Sequence, residues 1–179
     1  MNQSLSNLAG AHRQVVAPEK DFVFHFARAV VDESISWYDA LEAGCPQTPQ
    51  NSSVYEASGR YRPSPGAGSF VDQYLLVCTN DLVHDLDEVR LWARRERYLT
   101  TTPRDLFALA LDHPRLNQEF EYGRRNSLLV YATYPQRWWW RQKTQICARW
   151  THEGHRIAEA HKPSEFGSLC AFLFKFPQP

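Results

Sequence analysis

The chain has 179 residues, 43% of them hydrophobic and 22% charged, with 20 Lys and Arg against 20 Asp and Glu. That is one domain's length and an ordinary globular make-up, which argues against a disordered chain or one needing disulfide or metal staples. No run approaches the ~20 consecutive apolar residues of a membrane helix, and Met1–Gly10 lacks both the basic and the apolar part of a secretion signal.

Residues 1–11 are therefore expected to form a disordered tail and 12–179 a single domain in the cytoplasm. Cys45, Cys78, Cys147 and Cys170 lie far apart, without the spacing of a zinc knuckle or a disulfide framework, so reduced and buried thiols are expected. Charge is segregated along the chain. Residues 1–89 carry 5 Lys and Arg against 12 Asp and Glu, and residues 90–179 carry 15 against 8. Such a split gives either a dipolar surface or pairing between the halves.

Phe22–Phe26 reads as a short strand. Ser34 or Ser36 then caps a helix over Trp37–Ala43, with Gly44 at its end. The stretch Gln47–Ser69 holds Pro49, Gly59, Pro63, Pro65, Gly66 and Gly68 and reads as a long loop. Gln73–Cys78 is an apolar run that suits a buried strand. Asn80 or Asp81 caps a helix from Leu82 to about Arg97, with an apolar stripe of Leu82, Leu86, Val89 and Ala93 and with acids early and bases late. Arg97–Thr101 reads as a short strand. Thr102-Pro103-Arg104-Asp105 is a helix start that joins a Thr cap, a first-position Pro and an acid three residues on, and the helix stops before Pro114. Ser127–Tyr134, Arg137–Trp150, Arg156–Ala160 and Leu169–Phe176 are strands, with Glu153-Gly154 as a hairpin turn. Three short helices and a strand-rich C-terminal half give an α+β fold with a mostly antiparallel sheet.

Several segments could carry chemistry. In Arg137–Trp150 one strand face would hold Trp138, Trp140, Ile146 and Trp150. The other would hold Arg137, Trp139, Arg141, Lys143 and Arg149. Between Tyr122 and His152 there are six Lys and Arg and no acid. A cationic face with an exposed indole suits a polyanion, because guanidinium groups pair with phosphates and bases stack on rings. The same face also fits a sheet surface on which Arg stems cover Trp rings. His152, His155 and His161 fall within ten residues of one another, but their spacing is not that of a zinc motif, so no metal is expected there. Asp85, beside His84, reads as a helix-start acid. No phosphate-binding glycine loop or serine-hydrolase elbow occurs.

The strand ending Phe24-His25-Phe26, the helix Trp37–Gly44, the run Tyr98-Leu99-Thr100-Thr101-Thr102-Pro103-Arg104-Asp105 and the strand Ser127–Ala132 occur in an order that resembles the ADP-ribosyltransferase superfamily. The resemblance is to its His-Tyr-acid branch and its small rifamycin-modifying members, in pieces over Phe22–Pro135. It implies NAD as cofactor and a macromolecular target, in an active or catalytically lapsed enzyme. His25 would bind the nicotinamide ribose, Tyr98 would stack on the nicotinamide ring, and Thr100 and Thr102 would support that wall. The acidic member would be Glu153, Glu159 or Glu165, with Glu159 the best placed. Glu119-Phe120-Glu121 imitates the paired acids of another branch, without its Arg–Ser strand. Such a reaction passes through an oxocarbenium-like state, which needs ring stacking, ribose positioning and a nearby carboxylate. The alternative is a non-enzymatic binding or inhibitor protein that uses Arg137, Trp139, Arg141, Lys143 and Arg149 against nucleic acid or an acidic protein surface.

Overall fold

A computed structural model describes residues 22–56, 68–79, 86–120, 127–134, 145–161 and 170–177. The expected tail over 1–11, the helix start at Asn80–Asp85, and Arg137, Trp139, Arg141 and Lys143 lie outside the described residues. The described residues form seven strands, β1 (Phe22–Asp32), β2 (Ser69–Thr79), β3 (Leu99–Thr100), β4 (Leu128–Ala132), β5 (Gln145–Trp150), β6 (Arg156–His161) and β7 (Cys170–Lys175). The helices are α1 (Trp37–Gly44), α2 (Ser53–Glu56), α3 (Leu86–Arg95) and α4 (Pro103–Asp112), followed by a 3-10 turn at Leu116–Glu119.

The strands form one sheet in the order β1-β2-β7-β4-β5-β6, with β3 pairing the end of β7 beyond β4. Every pair is antiparallel except β4 with β7. The α+β class and the largely antiparallel sheet therefore match the reading of the sequence. Among the described residues, no helix is long and apolar enough to cross a membrane.

Strand alternation divides the core in two. Ala27, Ala29, Val31, Tyr74, Leu76, Val130, Ile146, Ala148, Ala171 and Leu173 face one side, where α1 and α4 pack on them through Trp37, Leu41, Leu106, Phe107 and Ala110. Leu75, Val77, Tyr131, Cys147, Phe172 and Phe174 face the other, where α3 adds Leu86, Val89 and Ala93. The central strands are buried on both faces, which is why β2 and β7 read as unbroken apolar runs.

β1, β2 and the expected Gln47–Ser69 loop differ from expectation. β1 and β2 each extend to eleven residues, because they pair without a break from Phe22↔Thr79 to Asp32↔Ser69. The expected Gln47–Ser69 loop contains the single turn α2, anchored by fully buried Val54, whose carbonyl accepts from Trp37 Nε1 at 3.1 Å. α2, a helix beyond the three expected, is thus a tertiary product and not a local one. Of the expected long strand Arg137–Trp150, only Gln145–Trp150 is described, as β5.

Caps fall where the side chains predict. Ser36 accepts from Asp39 N at 3.1 Å at the start of α1. Asp105 accepts from both Thr102 N and Thr102 Oγ1 at the start of α4. α3 ends in a 6→1 and 5→2 hydrogen-bond pair, Tyr98 N to Ala93 O and Arg97 N to Arg94 O. Arg97 holds the left-handed position there at φ 63°, where Gly is the usual residue.

Both outer strands are covered by side chains. At β1, Asp112 Oδ2 accepts from Val30 N at 2.7 Å, and the His113 ring reaches Arg28 O at 2.8 Å. At β6, Gln47 Oε1 accepts from Arg156 N and Thr48 Oγ1 accepts from Ala158 N, both at 2.8 Å. Satisfying edge N–H and C=O groups this way discourages pairing with another chain.

Candidate functional site

His25 and Tyr98 do not meet. His25 alternates with Ala27 and Ala29 and so lies on the α1/α4 face. Its Nε2 is 2.8 Å from Glu119 Oε2, and its ring packs against Phe120 at 4.9 Å. His113 Nδ1 lies 3.6 Å from the other oxygen of Glu119. Tyr98 is buried on the opposite, α3, face and packs against Trp92 and Phe176. The expected shared nicotinamide wall is corrected on this point: the sheet itself separates the two rings. Period-two alternation assigns His25 to one layer, and the chain turn after α3 delivers Tyr98 to the other.

The threonines of the same run have structural roles. Thr100 is an exposed residue of β3, paired with Phe174. Thr101 and Thr133 point inward, and both hydroxyls donate to Leu173 O, at 2.8 and 2.6 Å, where β7 passes from β4 to β3. Thr102 hydrogen-bonds Asp105 as part of the α4 cap. Asp105 is itself buried and also accepts from Tyr74 Oη at 2.9 Å and Lys175 Nζ at 2.6 Å, while Lys175 also pairs with Asp72 at 2.8 Å. These groups lock the helix start onto the sheet.

Glu159 is on the α3 face of β6, well removed in the strand order from β1 and His25. Its Oε2 accepts from Arg149 Nη2 at 2.8 Å and lies 2.7 Å from His161 Nε2. The other ring nitrogen, His161 Nδ1, is 3.2 Å from Tyr131 Oη. Cys147 completes the group, with Sγ, a Glu159 oxygen and a His161 nitrogen all within 4.8 Å of one another. Register explains the gathering. Cys147 pairs with both Tyr131 and Glu159, and Gln145 with His161, so period two turns these side chains to one face. Five polar side chains thus converge on the α3 face of β4, β5 and β6. Arg149, expected on an open cationic face, is half-buried and ion-paired here, and its neighbours Gln145 and Cys147 are buried.

Cys45, Cys78 and Cys147 are poor nucleophiles. Burial pushes Cys45 and Cys78 up to about 12 and Cys147 well above its ordinary value, so these three are protonated near neutral pH. A surface hollow of about 450 Å³ lies over α1 and α2, lined by Tyr38, Glu42, Gln50, Tyr55 and Glu56. Two glutamates and no Lys or Arg line it, which is the wrong charge for a dinucleotide pyrophosphate.

No family model, curated protein or solved structure matches the chain. Sequence reasoning named Arg149, Glu159 and His161 separately and missed their convergence with Tyr131 and Cys147. The signal was available in the Gly154 turn: a hairpin closed there sets Cys147 opposite Glu159.

Proposed function

We propose that the chain is a non-enzymatic binding protein that docks single-stranded nucleic acid through the β4–β5 region. The observation that carries this reading is the absence of any acid between Tyr122 and His152, a stretch with six Lys and Arg and the run Trp138-Trp139-Trp140. Guanidinium groups neutralise phosphates, and indoles stack on any base, so the combination favours a polyanion with exposed rings over an acidic protein. Within this stretch, Leu129 of β4 and Arg149 of β5 are paired across the two strands and half-buried.

The test is fluorescence anisotropy of a labelled oligonucleotide against salt concentration. Three to five phosphate contacts give a slope of about −2 to −4 in log K against log salt. Arg141→Ala combined with Lys143→Ala is expected to flatten that slope and leave the circular dichroism spectrum unchanged. No binding, or binding indifferent to salt, overturns the reading, and binding of an acidic protein in its place moves the proposal to that partner.

The NAD-dependent transferase reading needs His25 and Tyr98 in one pocket, and the sheet lies between them. NAD binding to the folded state would raise the melting temperature in a dose-dependent way. The binding reading predicts no such rise.

A further inference from the structure

We propose that Cys147, Glu159 and His161 form a binding site for a divalent transition-metal ion of the zinc type. The proposal is independent of the nucleic-acid reading. It rests on three ligand atoms of three kinds, one sulfur, one oxygen and one nitrogen, within 4.8 Å of one another on two neighbouring strands.

Thiolate and imidazole together select zinc-like ions over magnesium or calcium, which prefer oxygen. A tetrahedral zinc with bonds of ~2.0–2.3 Å separates its ligand atoms by about 3.2–3.8 Å. No separation here need contract by more than about 1 Å. The closest pair must open. His161 Nε2 and Glu159 Oε2, now 2.7 Å apart, are hydrogen-bonded where the metal would sit.

The ring is already oriented for this exchange. Tyr131 Oη holds the far nitrogen, His161 Nδ1, at 3.2 Å. A partner on that nitrogen commonly fixes a metal-binding histidine and its tautomer. When a metal takes Nε2, the ring proton moves to Nδ1 and Nδ1–H donates to the Tyr131 oxygen. The Cys147 thiol gives up its proton to solvent as the sulfur–metal bond forms. One thiolate and one carboxylate then neutralise the dication. Arg149, 2.8 Å from Glu159 Oε2, keeps the carboxylate on this face. Cys147 is fully buried, while Glu159 and His161 are about a quarter and a third exposed. Three protein ligands leave a fourth position for water.

Cobalt(II) is the probe, added to the full chain after treatment with a chelator. A thiolate-bound cobalt gives a near-ultraviolet charge-transfer band, expected here to saturate at one ion per chain and to bleach when zinc is added. Cys147→Ser should remove the band. Because Cys147 is buried and its substitution can unfold the chain, His161→Gln at the half-exposed edge is the second variant. It should weaken zinc binding by about 100-fold or more, and Tyr131→Phe by about 10-fold. His152→Gln and His155→Gln should leave binding unchanged. The proposal is overturned if the wild-type chain shows no band, if the band survives in Cys147→Ser, or if His161→Gln binds zinc as tightly as the wild type.

Discussion

At the residue scale, His25 shows how a side chain that looks functional in sequence can serve the fold. Burial lowers its pKa below the ordinary 6.5; Glu119 opposes that shift and the nearby His113 adds to it. Folding therefore favours neutral His25. The sign follows from linkage: the unfolded chain binds the proton more readily, so this contribution is complete above the unfolded value and is lost as pH falls through the folded one. Between pH ~7.5 and ~5.5 the wild-type chain should lose urea stability more steeply than His25→Gln, which cannot take up the proton. Equal slopes in the two proteins would show that His25 is not held neutral. Tyr98 was equally legible as an aromatic of interest, but no local pattern states which face of a later sheet a residue will reach.

At the element scale, the sequence specifies helices better than it specifies their reasons. The start and stop of α4 are written in Thr102, Pro103, Asp105 and Pro114, and the structure keeps all of them. Gly44 marks the end of α1 as expected, but for a different cause. A Cβ at this position would lie 2.4 Å from the Phe107 carbonyl oxygen and 2.8 Å from its Cα, so Gly44 is the contact that lets α1 and α4 touch. Gly44→Ala should cost about 2–3 kcal/mol, read as a lower urea midpoint with an unchanged m value. A cost below about 0.5 kcal/mol would mean that the helices shift apart freely. α2 and the second half of β1 were illegible for a related reason. Each is set by a distant partner, the Trp37 indole in one case and the whole of β2 in the other. The candidate cluster on β5 and β6 was half-legible: its residues stood out singly, but only the hairpin register brings them together.

At the scale of the whole molecule, a seven-stranded sheet with two ends must avoid growing. Asp112 is the more exposed of the two groups that guard β1, and its carboxylate is the partner of Val30 N. Asp112→Ala should free that N–H beside exposed Val30 and Val71. The expected outcome is concentration-dependent self-association by light scattering or sedimentation, with monomer stability lowered by about 1 kcal/mol. A variant that stays at the wild-type mass at every concentration would show that His113 suffices.

The central position of β7 bears on how the chain is made. It lies between β2 and β4, yet it is synthesised after every other strand of the sheet. While the nascent polypeptide is still tethered to the ribosome, β1-β2 and β4-β5-β6 lack the strand that joins them in the sheet, and α4, which packs on β1, β4 and β5, spans the gap between two apolar flanks awaiting the same insert. Joining them is a late, long-range step of the kind that slows folding and invites chaperone capture. A stop codon just before Cys170 would release two unjoined halves of a sheet.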